Sequence, residues 1–153
     1  MSTVLGKDEQ IVREEIFTAN LILFWLKANY NLTNKRITGH TPNTFLGIIP
    51  LGKAQVSQPL KTVASISSST QFHFMRLLIG AILLIVGLSM FGSSFILAII
   101  LALFGLVNIL NCFTAVFYIT NNAGESTGYE ISILEKDKVQ SFVSEINTTI
   151  ADL

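Results

Sequence analysis

Two histidines and one cysteine are the side chains in this sequence that most often carry catalysis or bind a transition metal. His40 and His73 are far apart in the chain, and Cys112 lies within a long apolar stretch. A zinc site needs several such ligands at characteristic spacings, and nucleophilic catalysis needs a Ser or Cys beside a base. Neither pattern occurs, and no glycine-rich phosphate loop follows a strand. We therefore predict no catalytic residue, no metal site and no cofactor, and we rank an enzyme last among the functions considered.

The charged side chains favour contact with lipid over contact with nucleic acid. Ten basic and ten acidic residues cancel, so no net field attracts a nucleic acid. A basic side chain at a membrane surface contributes about 1 kcal/mol of attraction to anionic lipid. The candidates for such a contact are Lys35, Arg36, Lys53, Lys61 and Arg76. The alternative, that they are solvated charges on a domain held beside its own membrane, stays open.

A long uncharged segment is the strongest signal in the sequence. The chain is 50% hydrophobic and 13% charged, with a mean hydropathy of +0.58, and every charged residue lies at or before Arg76 or at or after Glu125. A membrane span needs about 20 apolar residues, and residues 77–119 are about twice that length. Turn formers interrupt the segment at Gly92, Ser93 and Ser94. We predict a transmembrane helical hairpin with helices over residues 72–91 and 95–117. A re-entrant hairpin and a buried hairpin in a soluble protein are the alternatives.

Orientation and packing of the hairpin follow from its few polar and small residues. Basic residues lie near its entry and none lies in its turn, so the positive-inside tendency predicts that both termini are cytoplasmic, at the cell membrane. Asn108 and Asn111 share one helix face, and Gly80 and Gly87 give the other helix a small-residue face. Such residues mark helix–helix contacts in membranes. They therefore predict packing within the hairpin or between copies of the chain.

The flanks read as one domain that the hairpin divides. Strand-like segments occur over residues 9–18, 21–33, 36–41 and 44–51 before the hairpin, and over 115–120 and 128–134 after it. The C-terminal segment is helical, because its apolar residues follow 3- and 4-residue spacing: Val139, Phe142, Val143, Ile146 and Ile150. A lone short helix is marginal in water, so we expect it to cover the strands. The predicted division is residues 1–71, a hairpin at 72–118, and residues 119–153.

The flanks resemble bacterial pleckstrin-homology-like and GRAM-like membrane proteins. The sharpest match is a strand–turn–strand motif, Tyr30-Asn31-Leu32-Thr33-Asn34-Lys35-Arg36-Ile37, and the next strand is similar at Ile49-Pro50-Leu51 and Val56. The resemblance implies an α+β fold: a small PH-like β-barrel or sandwich capped by a C-terminal helix and split by the two-helix hairpin. Phosphoinositide-binding relatives carry a basic cluster after the first strand, whereas this chain has Thr18-Ala19-Asn20 there.

These expectations converge on an interaction protein at the membrane. The leading hypothesis is a non-enzymatic, membrane-anchored PH-like scaffold that contacts membrane lipids and self-associates as a homo-oligomer, with a further protein partner not specified. A holin-like, pore-forming hairpin is the first alternative. An accessory subunit of a larger membrane complex is the second.

Overall fold

Two antiparallel sheets, three α-helices and two short 3-10 helices (Leu60–Thr62 and Ile133–Glu135) make up the computed structural model, which describes residues 5–45 and 49–153. The first sheet has four strands in chain order: β1 (Ile11–Thr18), β2 (Lys27–Thr33), β3 (Arg36–Phe45) and β4 (Ile49–Pro59). The second has three: β5 (Val63–Phe72), β6 (Phe113–Asn121) and β7 (Ser126–Ser132). The helices are α1 (Phe74–Ser89), α2 (Phe95–Leu110) and α3 (Lys136–Ala151). The predicted α+β class with a C-terminal helix is confirmed.

The helix pair α1–α2 connects the two strands of one β-hairpin. Strands β5 and β6 are antiparallel neighbours, and their last register pair is Phe72 with Phe113. The chain leaves the sheet there, turns around Gly92–Ser94 as predicted, and returns to the adjacent strand. The helix pair therefore begins and ends where β5 ends and β6 begins, at one end of the second sheet. We call this end of the domain the helix-pair end.

Helix α3 closes the core between the two sheets. Its predicted apolar stripe is confirmed: Val139, Phe142, Val143 and Ile146 are buried, and Ile150 packs against them partly buried. The Phe142 ring lies 5.7 Å from the Phe17 ring on β1 and 6.2 Å from the Phe117 ring on β6. Tyr30 on β2 completes this aromatic cluster, 4.9 Å from Phe117. One core therefore contains residues that precede the helix pair in the sequence and residues that follow it.

Two strand predictions differ from the structure. Residues 21–26 belong to the loop between β1 and β2 rather than to a strand. The reason is local: the Asn20 side-chain oxygen accepts hydrogen bonds from the backbone N–H groups of Ile22 and Leu23, which gives the chain a turn in place of a ladder.

The second difference is that β3 continues through Pro42, where we predicted a break. Pairing of β3 with β2 ends at His40, so Pro42 pairs only with Lys53 on β4. A proline without an N–H is tolerated where one side of the strand is open. The predicted strand at 44–51 divides between β3 and β4, and its residues 46–48 lie outside the described part of the chain.

The prediction that the helix pair crosses a membrane is wrong. Each helix has 16 residues, which is about 24 Å at 1.5 Å per residue, against about 30 Å of hydrocarbon. The second predicted span, residues 95–117, ends early because Phe113 already belongs to β6. Among residues 5–45 and 49–153, no helix has both the length and the apolar character needed to cross a bilayer.

An ion pair between Glu9 and Arg36, at the end of the first sheet opposite the helix-pair end, makes the free energy of unfolding depend on pH. The Glu9 carboxylate accepts hydrogen bonds from the Arg36 guanidinium at 2.8 Å and 3.0 Å, from Gly6 N at 2.6 Å and from Thr33 Oγ1 at 2.8 Å. The Arg36 bonds, followed by the Gly6 bond, lower the pKa of Glu9 from 4.5 to about 2. The folded state therefore binds this proton less readily than the unfolded chain does.

We expect the free energy of unfolding to fall as the pH drops below 4.5, with the Glu9 contribution gone below about 2. Denaturation curves measured at about pH 7 and about pH 3 should show a smaller acid loss for Glu9→Gln than for the wild type. Glu14→Gln, at an exposed carboxylate on β1, is the control. An unchanged acid slope in Glu9→Gln would contradict the assignment.

Candidate functional site

The surface of the helix pair is apolar on nearly every side. Only Gly80 and Gly87 are buried in α1, and only Ala98, Gly105 and Asn108 in α2. The exposed side chains are large and hydrophobic, among them Phe74, Met75, Ile82, Ile85, Leu88, Phe95, Ile96, Ile100, Leu103 and Leu106. Ile85 is 66% exposed and Ile96 is 75% exposed. A helix at a water-facing surface normally has one polar face, and neither helix has one.

Glycines allow the two helices to approach closely. A Cβ at Gly80 would lie 2.8 Å from Gly105 O, and a Cβ at Gly87 would lie 2.7 Å from Ala102 N. These distances are too short for a methyl group, so the backbones of α1 and α2 are in direct contact. The small-residue face predicted for Gly80 and Gly87 is therefore occupied by α2 of the same chain.

The two asparagines predicted to mark helix–helix contacts form hydrogen bonds with other parts of the chain. Asn108 Nδ2 donates to Phe104 O at 3.0 Å and Asn111 Nδ2 donates to Val107 O at 2.9 Å, both within α2 or its end. Asn111 Oδ1 accepts a hydrogen bond of 2.8 Å from Leu21 N. Asn111 thereby fastens the β1–β2 loop to the end of the helix pair.

A charged cluster lies where α1 leaves the second sheet. Arg76 Nη2 is 2.7 Å from Glu130 Oε2 on β7, and His73 Nε2 is 3.5 Å from Glu130 Oε1. Burial lowers the pKa of His73; the Glu130 carboxylate opposes this, and the Arg76 charge adds to it. His73 Nε2 also forms a hydrogen bond of 2.9 Å with Thr114 Oγ1, in which the tautomer of the imidazole decides which group donates. Sequence reasoning missed the Arg76–Glu130 pair, because the two residues are distant in the chain.

A cavity of about 300 Å³ opens beside this cluster. Its walls come from the β1–β2 loop, the β3–β4 hairpin, the end of α2 and β7, and its polar lining includes Asn20, Asn43, Thr44, Arg76, Asn111 and Glu130. Arg76 and Glu130 already pair with each other, so the lining carries both signs of charge. The cavity therefore brings together both sheets and both ends of the helix pair.

The five basic residues predicted to contact anionic lipid lie in two places. Arg36 pairs with Pro59 across the sheet and forms the ion pair with Glu9, and Lys35 and Lys61 line one cavity with Pro59. Lys61 precedes β5, whose 10 residues span about 33 Å before the helix pair begins. Lys53 and Arg76 lie at the helix-pair end. The two groups therefore lie toward opposite ends of the domain.

Of the three residues considered for chemistry, His73 and Cys112 are neighbours, but the hydrogen bond between them joins their backbones and not their side chains. His40 lies on β3 and His73 lies between β5 and α1. Cys112 is a buried free thiol, and its backbone oxygen accepts a 2.7 Å hydrogen bond from His73 N. Within residues 5–45 and 49–153, no three His, Cys, Asp or Glu side chains are arranged to hold a metal ion.

Comparison with known proteins adds no further assignment. The chain matches no protein-family model, no curated protein and no solved structure.

Proposed function

We propose that this chain is a non-enzymatic, membrane-attached interaction module, whose helix pair inserts into one side of a lipid bilayer without crossing it. The observation that carries the proposal is the uniformly apolar surface of α1 and α2. Exposed apolar patches of this extent mark a protein or membrane contact. A docking site for one protein would need a single apolar face, whereas lipid contacts an inserted helix pair from all sides.

The length of the helices agrees with shallow insertion. A hairpin of about 24 Å embedded at a tilt occupies one leaflet and leaves the domain on the side from which it entered. The backbone N–H and C=O groups of such a hairpin are bonded within its helices, as the bilayer interior requires. This is the re-entrant arrangement that the sequence left open.

The order of elements supports a PH-like assignment for the domain itself. Four antiparallel strands, three further strands and a closing helix agree with the strand–turn–strand resemblance, whose residues form the β2–β3 hairpin. The helix pair would then be an insertion between β5, which ends at Phe72, and β6, which begins at Phe113, so the second part of the domain begins before the predicted residue 119. We propose this finer fold on the topology and the motif together.

The domain would act as a scaffold at the cytoplasmic surface of the cell membrane. Lys53 lies at the helix-pair end, where basic residues are attracted by the anionic cytoplasmic leaflet, and Arg76 lies at the same end in its ion pair with Glu130. Self-association remains part of the proposal, but Gly80, Gly87 and Asn111 make contacts within the chain. A second copy would therefore bind through other surfaces, such as the sheet edges.

Vesicle flotation of the full chain tests the proposal. After detergent removal in the presence of phosphatidylcholine–phosphatidylglycerol vesicles, we expect the wild type to float with the lipid. An Asp at the centre of an inserted helix costs about 2.5–3.5 kcal/mol. Ile85→Asp combined with Ile96→Asp should therefore lower vesicle binding by at least about 100-fold, without disturbing the core, because both side chains are exposed.

Val12→Asp is the matched control, since Val12 is an exposed apolar residue near the start of β1, away from the helix pair. It should float like the wild type. The proposal fails if the double variant floats normally. It also fails if the wild type stays monodisperse in the aqueous fraction without detergent.

A further inference from the structure

The β1–β2 loop presents two aromatic side chains at the helix-pair end. Phe24 is 66% exposed and Trp25 is 61% exposed, and their rings contact each other edge-to-face at 5.2 Å. The turn held by Asn20 and the Ala19 N to Leu26 O hydrogen bond of 2.8 Å fix the base of this loop. The two rings therefore project from an ordered loop.

Contacts with the helix pair fix the position of this loop. Leu21 N donates to Asn111 Oδ1 at the end of α2, so the loop lies beside the point where the chain re-enters the sheet. Phe72 and Phe113 lie at the same point, with rings 4.9 Å apart, and both are about half exposed. Aromatic side chains thus surround the base of the apolar helices.

The β3–β4 hairpin adds a second apolar projection at the same end. It extends past the last β2 pairing at His40, and its residues 41–44 line the cavity that Arg76 and Asn111 also line. Beyond that wall, Phe45, Ile49 and Leu51 are exposed. Two loops and the helix pair therefore expose large apolar side chains on one side of the domain.

We infer that this end of the domain is itself a lipid-contact surface, with Phe24, Trp25, Phe45, Ile49 and Leu51 seated in the headgroup layer of the bilayer that receives the helix pair. The inference rests on the proposed function but adds a second contact to it. The occupant is a bilayer because the apolar loops are continuous with the apolar helices, and because aromatic residues prefer the membrane interface. Lys53 at this end suits the phosphate groups of the same layer.

Trp25 supplies a direct probe, because it is the one tryptophan in the sequence. We reconstitute the full chain in phosphatidylcholine–phosphatidylglycerol vesicles whose acyl chains are brominated either near the headgroup or near the chain end. At the interface, Trp25 emission should shift to the blue and fall by about twofold with the shallow bromines. The deep bromines should quench it less.

Two relocated tryptophans in a Trp25→Phe background separate this inference from the proposed function. Leu88→Trp reports on the exposed surface of α1, and Lys61→Trp reports on the far end of the domain. We expect quenching for Leu88→Trp and none for Lys61→Trp. If Leu88→Trp is quenched and Trp25 is not, the inference is overturned while the proposed function stands. If none of the three is quenched, both fail, and equal quenching of all three overturns the end-specific contact.

Discussion

Replacing Phe142 by alanine is expected to lower the free energy of unfolding by about 3–5 kcal/mol, the range for a fully buried phenylalanine. The side chain is completely buried, and its ring contacts Phe17 and Phe117 on strands from different sheets. Alanine removes the ring and leaves a cavity that the surrounding strands cannot fill. Urea denaturation of the full chain in mild detergent, followed by circular dichroism, measures the loss.

Gln140→Ala on the exposed face of α3 is the control and should change the free energy of unfolding by less than about 0.5 kcal/mol. The comparison reports on more than helix packing, because the cluster joins residues that precede the helix pair to residues that follow it. A loss below about 1 kcal/mol in Phe142→Ala would mean that α3 does not close a shared core.

The C-terminal helix was predictable because its signal is periodic. Apolar residues at 3- and 4-residue spacing form one stripe only on a helix, and Val139, Phe142 and Val143 are buried as the pattern indicated. Most strands were also located, because alternation and turn residues bound them. Such signals are local, so the sequence carries them without knowledge of the rest of the fold.

The residue at which the second helix of the pair ends was not predictable, because the composition of the segment after it fits either a helix or a strand. The largely apolar run at residues 113–119 is compatible with two structures. It could form the last turns of a membrane helix, or the central strand of a sheet whose two faces are both covered. In the structure they form β6, which lies between β5 and β7 and buries Thr114, Ala115, Val116 and Phe117 in succession. Only the pairing of β6 with its neighbours distinguishes the two cases.

The candidate surface was only partly predictable for a related reason. Phe24 and Trp25 have high strand propensity, and their exposure follows from the turn at Asn20 and the Leu21–Asn111 bond. The Arg76–Glu130 pair depends on the register of β6 with β7. The strand register brings these two distant residues into contact, and amino-acid composition does not predict a register.

Substituting Gly105 by leucine is expected to separate the two helices that the proposed function requires. A Cβ at Gly105 would lie 2.6 Å from Leu84 N and 2.7 Å from Gly80 O. Both neighbours are backbone atoms that cannot rotate away, so α1 must move. Overpacking of this kind costs about 1–3 kcal/mol, and for a chain of this size each kcal/mol lowers Tm by about 2–4 °C.

The helix propensity of leucine would by itself stabilise α2, so a loss of stability in this variant is informative. Leucine favours a helix over glycine by about 1 kcal/mol, so a loss of stability in Gly105→Leu can come only from the contact with α1. Thermal unfolding gives its size, and faster amide hydrogen exchange within residues 74–110 locates it. Gly92→Leu, at a turn position with open space around its Cβ, should leave both measurements unchanged. Equal effects of the two substitutions would show that the helices do not meet at Gly105, and the hairpin would then lack the rigid contact on which insertion as a unit depends.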